Sequence, residues 1–136
     1  MKNPTTILLV EDDDRGRQAV EKAFERHEIK NPLRVVTSVE AALRKLRAEE
    51  RPAVVLLDLD ELSDDAVRLL RSLKGDPKLR SVPVIVLTSS PEEQGRLKTF
   101  DLGVAGYIVK PEKFEDFARV VKTIVFYWTL SEVPRA

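Results

Sequence analysis

VVLLDLDELSDDA, residues 54–66, runs four apolar residues straight into two aspartates one residue apart, with three more acids close behind. An unbroken Val/Leu run has no polar face, which is how a strand buried on both sides of a parallel sheet reads. Four other runs share this character: TTILLV ending at Val10, LRVV ending at Val36, VPVIVL ending at Leu87 and AGYIV ending at Val109. Between them lie segments with helical period and end signals. Ser38 precedes VEAALRKL, Gly75 follows RLLRSLK, and Gly103 follows a helix that begins SSPEEQ. In that last start Ser90 stands at the N-cap, Pro91 at the first helical position, and Glu93 three residues after the cap, forming a capping box. The pattern is (βα)5 with short connections. Right-handed crossovers then place helices on both faces of a doubly wound five-stranded parallel sheet, an α/β fold.

At 136 residues the chain fits one domain, since single cores typically hold about 100–150 residues. Residues 1–130 are expected to form it, with SEVPRA, 131–136, as a short tail. The 23 basic and 23 acidic side chains cancel, so no basic excess drives phosphate-backbone binding and nucleic acid is not expected as a direct partner. Cysteine is absent, which removes disulfides, thiolate zinc sites and cysteine nucleophiles, and a single histidine, His27, speaks against a histidine-based metal site or triad. The start, MKNPTTILLVEDDD, has too short an apolar run for a signal peptide, and no stretch approaches the roughly 18–20 apolar residues of a membrane span. The expectation is a soluble cytoplasmic protein.

A final helix is expected from about Lys113 to about Leu130. Its residues Phe114, Phe117, Val121, Ile124 and Trp128 recur at three- and four-residue spacing and form one face for the sheet. Phe126 and Leu130 point roughly the other way.

In an open α/β sheet, ligands bind outside the carboxyl ends of the strands. The residues that follow the runs are Glu11 to Asp14, then Asp58 and Asp60, then Thr88 to Ser90, then Lys110 and Pro111. Acids, hydroxyl and lysine thus converge on one rim. Carboxylates brought together repel one another unless a cation offsets them, and an oxygen-only ligand set suits a hard cation such as Mg²⁺. A cation, a carboxylate nucleophile, a lysine and a hydroxyl donor make a phosphoryl-transfer site, with Asp58 the central aspartate. Each residue taken singly has a plainer reading. The run Glu11 to Asp14 can cap a helix and complement its dipole, Lys110 can be a surface lysine, Thr88 and its serines can start a helix, Asp64 and Asp65 can serve the next helix, and His27 can be a solvated helix end. The joint placement at successive strand ends favours function.

These residues at these intervals resemble the receiver domain of two-component response regulators. ILLVEDD supplies the acidic pair Glu11 and Asp12, VVLLDL the phosphoacceptor position Asp58, VIVLTSS the hydroxyl position Thr88, and GYIVKP the pair Lys110 and Pro111. Thirty residues separate Asp58 from Thr88 and twenty-two separate Thr88 from Lys110, as in the family. The resemblance implies a flavodoxin-like receiver fold with strand order 2-1-3-4-5. It implies a sensor histidine kinase that phosphorylates Asp58 in a Mg²⁺-dependent step, with Asp12 and Asp58 on the metal, Glu11 helping through water, and the backbone carbonyl of Asp60 as a further ligand. Thr88 and Lys110 would contact the phosphoryl group, Tyr107 would be the aromatic switch, and the bond before Pro111 would commonly be cis. Phosphorylation would shift the population toward an active arrangement. The final stretch, DLGVAGYIVKPEKFEDFARVVKTIVFYW, is similar to the small single-domain regulators paired with bacterial phytochromes. That implies a phytochrome-type kinase and a homodimer through the last helix, with Phe126 and Leu130 as interface candidates.

The sequence departs from the family after the acceptor. Leu62 and Ala66 stand where a proline and a glycine are usual, and Asp60 adds a carboxylate. The metal needs only the carbonyl at 60, so phosphorylation is expected to be retained, with the extra charge altering magnesium binding or acyl phosphate lifetime. Two rival readings follow. DLDEL imitates the Asp-x-Asp of haloacid dehalogenase-like phosphohydrolases, but it lies on the third run, and the acidic pair is upstream of it. A receiver-like interaction module that works without phosphate draws on the altered loop. With no DNA-binding or catalytic segment in view, output is expected through association.

Overall fold

The computed structural model describes residues 4–48, 51–59, 63–99 and 101–130. Asp60, Leu62 and the tail at 131–136 lie outside the described residues. Ten elements alternate along the chain: β1 (Ile7–Val10), α1 (Asp14–Arg26), β2 (Leu33–Val36), α2 (Val39–Ala48), β3 (Val54–Asp58), α3 (Asp64–Gly75), β4 (Val84–Thr88), α4 (Pro91–Lys98), β5 (Gly106–Val109) and α5 (Phe114–Leu130). All strand pairings are parallel, in the order β2-β1-β3-β4-β5. The expected α/β architecture and strand order are both present.

The unbroken apolar runs of β1, β3 and β4 follow from burial on two sides, whereas β2 and β5, at the sheet edges, are only partly buried. Successive side chains of a strand point to opposite faces. Val55 and Leu57 accordingly join Leu8, Val10 and Val86 against α2, α3 and α4, while Val54 and Leu56 join Ile7, Leu9 and Leu87 against α1 and α5. Each fully buried Leu or Val stabilises the fold by about 1.5–3 kcal/mol. On α5, Phe117, Val121 and Ile124 are buried as expected, together with Ala118 and Val125, and Trp128 packs at the margin. Phe114 is the exception at 36% exposure. It is the first residue of the helix, one turn ahead of the buried positions, which begin at Phe117.

Helix starts line the same rim as the strand ends, and four are closed by side chains. Asp13 accepts from the Arg15 N–H, Ser38 from Ala41, Ser63 from Ala66, and Ser90 from Glu93. Ser90 with Pro91 behind it is the expected cap, and Asp64 and Asp65 occupy the first turn of α3 as expected. Helix ends depart more. Gly75 is the last residue of α3 and has no positive φ; the Asp76 N–H closes that end on the Leu73 carbonyl. Helix α4 stops at Lys98, and Gly103, with φ of 69°, instead serves the connection to β5, which also takes Asp101 to φ of 47°. Leu97 is the one buried residue of α4. His27 caps α1 as a half-buried residue, its N–H on the Ala23 and Glu25 carbonyls, and its Nε2 is buried without a hydrogen-bond partner rather than solvated. No cis peptide occurs among the described residues, so the bond before Pro111 is trans, the more populated isomer at proline.

Candidate functional site

Asp58 ends β3 with its side chain only 4% exposed, and Lys110 follows β5 directly. Parallel register carries the two together. Thr88 pairs with Val109 across β4 and β5, and the Lys110 N–H donates to the Thr88 carbonyl at 2.7 Å. From there the Lys110 ammonium donates to both Asp58 carboxylate oxygens, at 2.8 and 3.1 Å. Such charge-assisted contacts are about twice as strong as neutral ones. Thr88, the last residue of β4, is fully buried, and its Oγ1 has no hydrogen-bond partner.

Glu11 follows β1, held there by its own N–H on the Val36 carbonyl. It is buried and lines the same cleft as Asp58. Burial first, then the charge of Asp58, push its pKa up to about 8; the Asp13 N–H and the Lys110 ammonium act in the opposite sense. Asp12 is exposed and lines the same cleft of about 570 Å³ as Glu11, Asp58, Ser63 and Lys110. The structure thus brings Glu11, Asp58, Thr88 and Lys110 to one rim and places Asp12 at its mouth. The expected carbonyl ligand at Asp60 falls outside the described residues. Ala66 is buried in the first turn of α3, with its N–H on the Ser63 cap, so that departure from the family pattern is absorbed by an ordinary helix start.

Tyr107 lies in β5, partly buried against the α2, α3 and α4 side of the sheet. Its carbonyl accepts from Gln94 Nε2 of α4 at 2.8 Å, and burial, then the charge of Asp101, raises the pKa of its hydroxyl. Phe126 and Leu130 are 58% and 70% exposed, and Tyr127 is 60% exposed beside them. Spacing alone does not single out Tyr127; its place next to Phe126 near the end of α5 is the signal the sequence offers.

The oxygen donors can be tested against a hard cation. Among the described residues no three acidic or histidine side chains enclose a point tightly enough to hold a metal by themselves. Mg²⁺ does not need that, because it usually keeps several waters and takes one or two carboxylates. Two carboxyls on one cleft, the charge of one pushing up the pKa of the other, are a donor pair that a cation would relieve. The residues present therefore fit a hydrated hard cation.

A family model for the response regulator receiver domain matches residues 7–122. The chain belongs to this family. Receiver domains are phosphoacceptor signalling proteins rather than enzymes, which sets aside the phosphohydrolase reading of DLDEL, and they imply a histidine kinase as partner. This receiver domain is 35% identical over 132 residues to the probable methanogenesis regulatory protein FilR2 of Methanothrix harundinacea, covering 93% of this chain and 85% of that protein. It is 30% identical over 131 residues to the response regulator Rcp1 of Synechocystis, covering 92% and 89%. The Mn²⁺-bound form of Rcp1 superposes with a TM-score of 0.76 at 29% identity over 96% of this chain and 99% of that one. The phosphorylated cyanobacterial phytochrome response regulator RcpA gives a TM-score of 0.80 at 28% identity, again over 96% and 99%. The receiver domain thus resembles regulators associated with phytochromes. No helix among its described residues is long and apolar enough to cross a membrane.

Proposed function

We propose that Asp58 accepts a phosphoryl group from a histidine kinase of the phytochrome type, in the cytoplasm, and that the protein signals by changed association. The observation that carries this reading is the Lys110 ammonium on both oxygens of a buried Asp58, next to the unpartnered Thr88 hydroxyl. An Asp58 oxygen attacks the phosphorus of the kinase's phosphohistidine. The P–N bond breaks, the imidazole keeps the electron pair and takes up a proton, and Asp58 becomes an acyl phosphate. Lys110 offsets the charge of the transferred oxygens, and Thr88 Oγ1 donates to one of them. Glu11, Asp12 and Asp58 would hold Mg²⁺, with the backbone carbonyl of Asp60 as a further ligand; when bound, the ion neutralises negative charge on the phosphoryl oxygens. Support comes from the oxygen-only donor set and from the Mn²⁺-bound form of the related Rcp1. Tyr107 then turns toward Thr88 as the switch. The phytochrome pairing draws on the likeness to RcpA.

Association is assigned to a homodimer through α5, because Phe126 and Leu130 with Tyr127 form an exposed apolar patch on one stretch of helix. The test is incubation with acetyl phosphate and MgCl₂, followed by intact mass and sizing. One added phosphoryl group on wild type, none on Asp58→Asn, is the expected result. A folded wild type that takes no phosphate refutes the reading.

A further inference from the structure

The first turn of α1 crosses the Glu11 carboxyl at the one position in that turn with no side chain. A Cβ built on Gly16 would stand 1.7 Å from Glu11 Oε1, 2.5 Å from Cδ and 3.1 Å from Cγ. The volume that any other residue would fill with its Cβ is occupied here by the carboxyl of Glu11. Gly16 has no positive φ, so its backbone asks for nothing that alanine lacks. Glycine inside a helix costs about 0.5–1 kcal/mol relative to alanine. The glycine therefore weakens α1 locally and returns room.

That room bears on the site through the same carboxyl, which lines one cleft with Asp58 and Lys110 while the Asp13 N–H approaches Oε2 at 3.4 Å. Glu11 is one methylene longer than an aspartate would be. The extra length has to be housed, and the end of the side chain, from Cγ to Oε1, lies in the recess at Gly16.

We propose that Gly16 is a positioning residue for the cation site: its missing Cβ is what lets a glutamate at position 11 set its carboxyl beside Asp58. The inference rests on the reading of Glu11 as part of that site. The two positions form one unit, so a side chain at 16 is excluded by glutamate at 11 and tolerated by aspartate.

The test is calorimetric titration of MgCl₂ into wild type, Gly16→Ala, Glu11→Asp and the double variant, with a thermal melt of each in EDTA. In the wild-type background Gly16→Ala is expected to weaken Mg²⁺ binding about tenfold, in the range for disturbing groups that support a metal shell. In the Glu11→Asp background the same substitution is expected to change affinity little, a non-additivity that a general effect on helix α1 does not produce. In EDTA the melting temperature of Gly16→Ala is expected to match or exceed wild type, because the clashing atoms belong to the end of a flexible side chain. Affinity in Gly16→Ala equal to or above wild type overturns the proposal. So does an equal loss in both backgrounds, or destabilisation in both. Failure of wild type to bind Mg²⁺ refutes instead the reading of the site, and the inference falls with it.

Discussion

Replacing Thr88 by valine should make the resting protein more stable and the phosphorylated protein less able to switch. Thr88 is fully buried at the end of β4, and its Oγ1 has no hydrogen-bond partner. A buried hydroxyl without a partner costs about 1–3 kcal/mol. Valine keeps the β-branched shape that suits a strand and replaces that oxygen with a methyl group. Packing around the new methyl takes back part of the gain, so the expected net stabilisation is about 1 kcal/mol. For a chain of this size that is a rise of roughly 3–5 °C in melting temperature. The comparison is urea unfolding of wild type and Thr88→Val without Mg²⁺, where the midpoint should rise at constant slope. The same variant, given acetyl phosphate and MgCl₂, should still label at Asp58 and lose the phosphate-dependent change at Tyr107. Loss of more than about 1 kcal/mol in the resting state would refute the reasoning, since it would mean that the hydroxyl is satisfied.

Lys110→Ala leaves the buried Asp58 carboxylate without its cation beside Glu11, and should destabilise by about 2 kcal/mol, below the full cost of breaking a buried pair because Lys110 is a quarter exposed. Adding Asp58→Asn should recover most of that loss in urea unfolding. MgCl₂ at about 100 times its dissociation constant should stabilise wild type by roughly 2.7 kcal/mol, and the effect should be much smaller in Asp58→Asn, as read by thermal melts. At concentrations where wild type is monomeric, Phe126→Glu with Leu130→Glu should leave unfolding midpoints within about 0.5 kcal/mol per site, since both side chains are exposed in the single chain. Sizing should show the pair as a monomer, and a persistent dimer would remove α5 from the interface.

The sheet was legible because Val54 to Leu57 have no polar face to hide. Burial on both sides leaves a strand no reason to alternate, and a run of Val and Leu ending in Asp58 then reads in only one way. The start of α4 was equally plain, since Ser90, Pro91 and Glu93 act through neighbouring backbone. Helix ends were less so. Gly75 and Gly103 both stand near helix ends in sequence, but only Gly103 needs a left-handed backbone, and that depends on the path to β5. Glu11, Asp58, Thr88 and Lys110 were found because each ends or directly follows a strand. Gly16 carried a signal of its own, a glycine inside a helical first turn, but its reason is a contact with Glu11 through space. Phe114 fits the apolar spacing of α5, and its exposure depends on where the helix begins relative to the sheet.

Helix α4 commits one residue, Leu97, to the interior. Its other fixings described above are the Ser90 cap and the Gln94 bond to the backbone of Tyr107. Opening free energies within one protein range from near zero to that of global unfolding, and elements with few buried groups lie at the low end. Helix α4 therefore belongs toward the low end of that range. Its amide protons should exchange with solvent well before those of β3 and β4. A partner that grips α4 would be reading an element that the rest of the fold holds lightly, a surface whose message can change many times without the molecule ever being unmade.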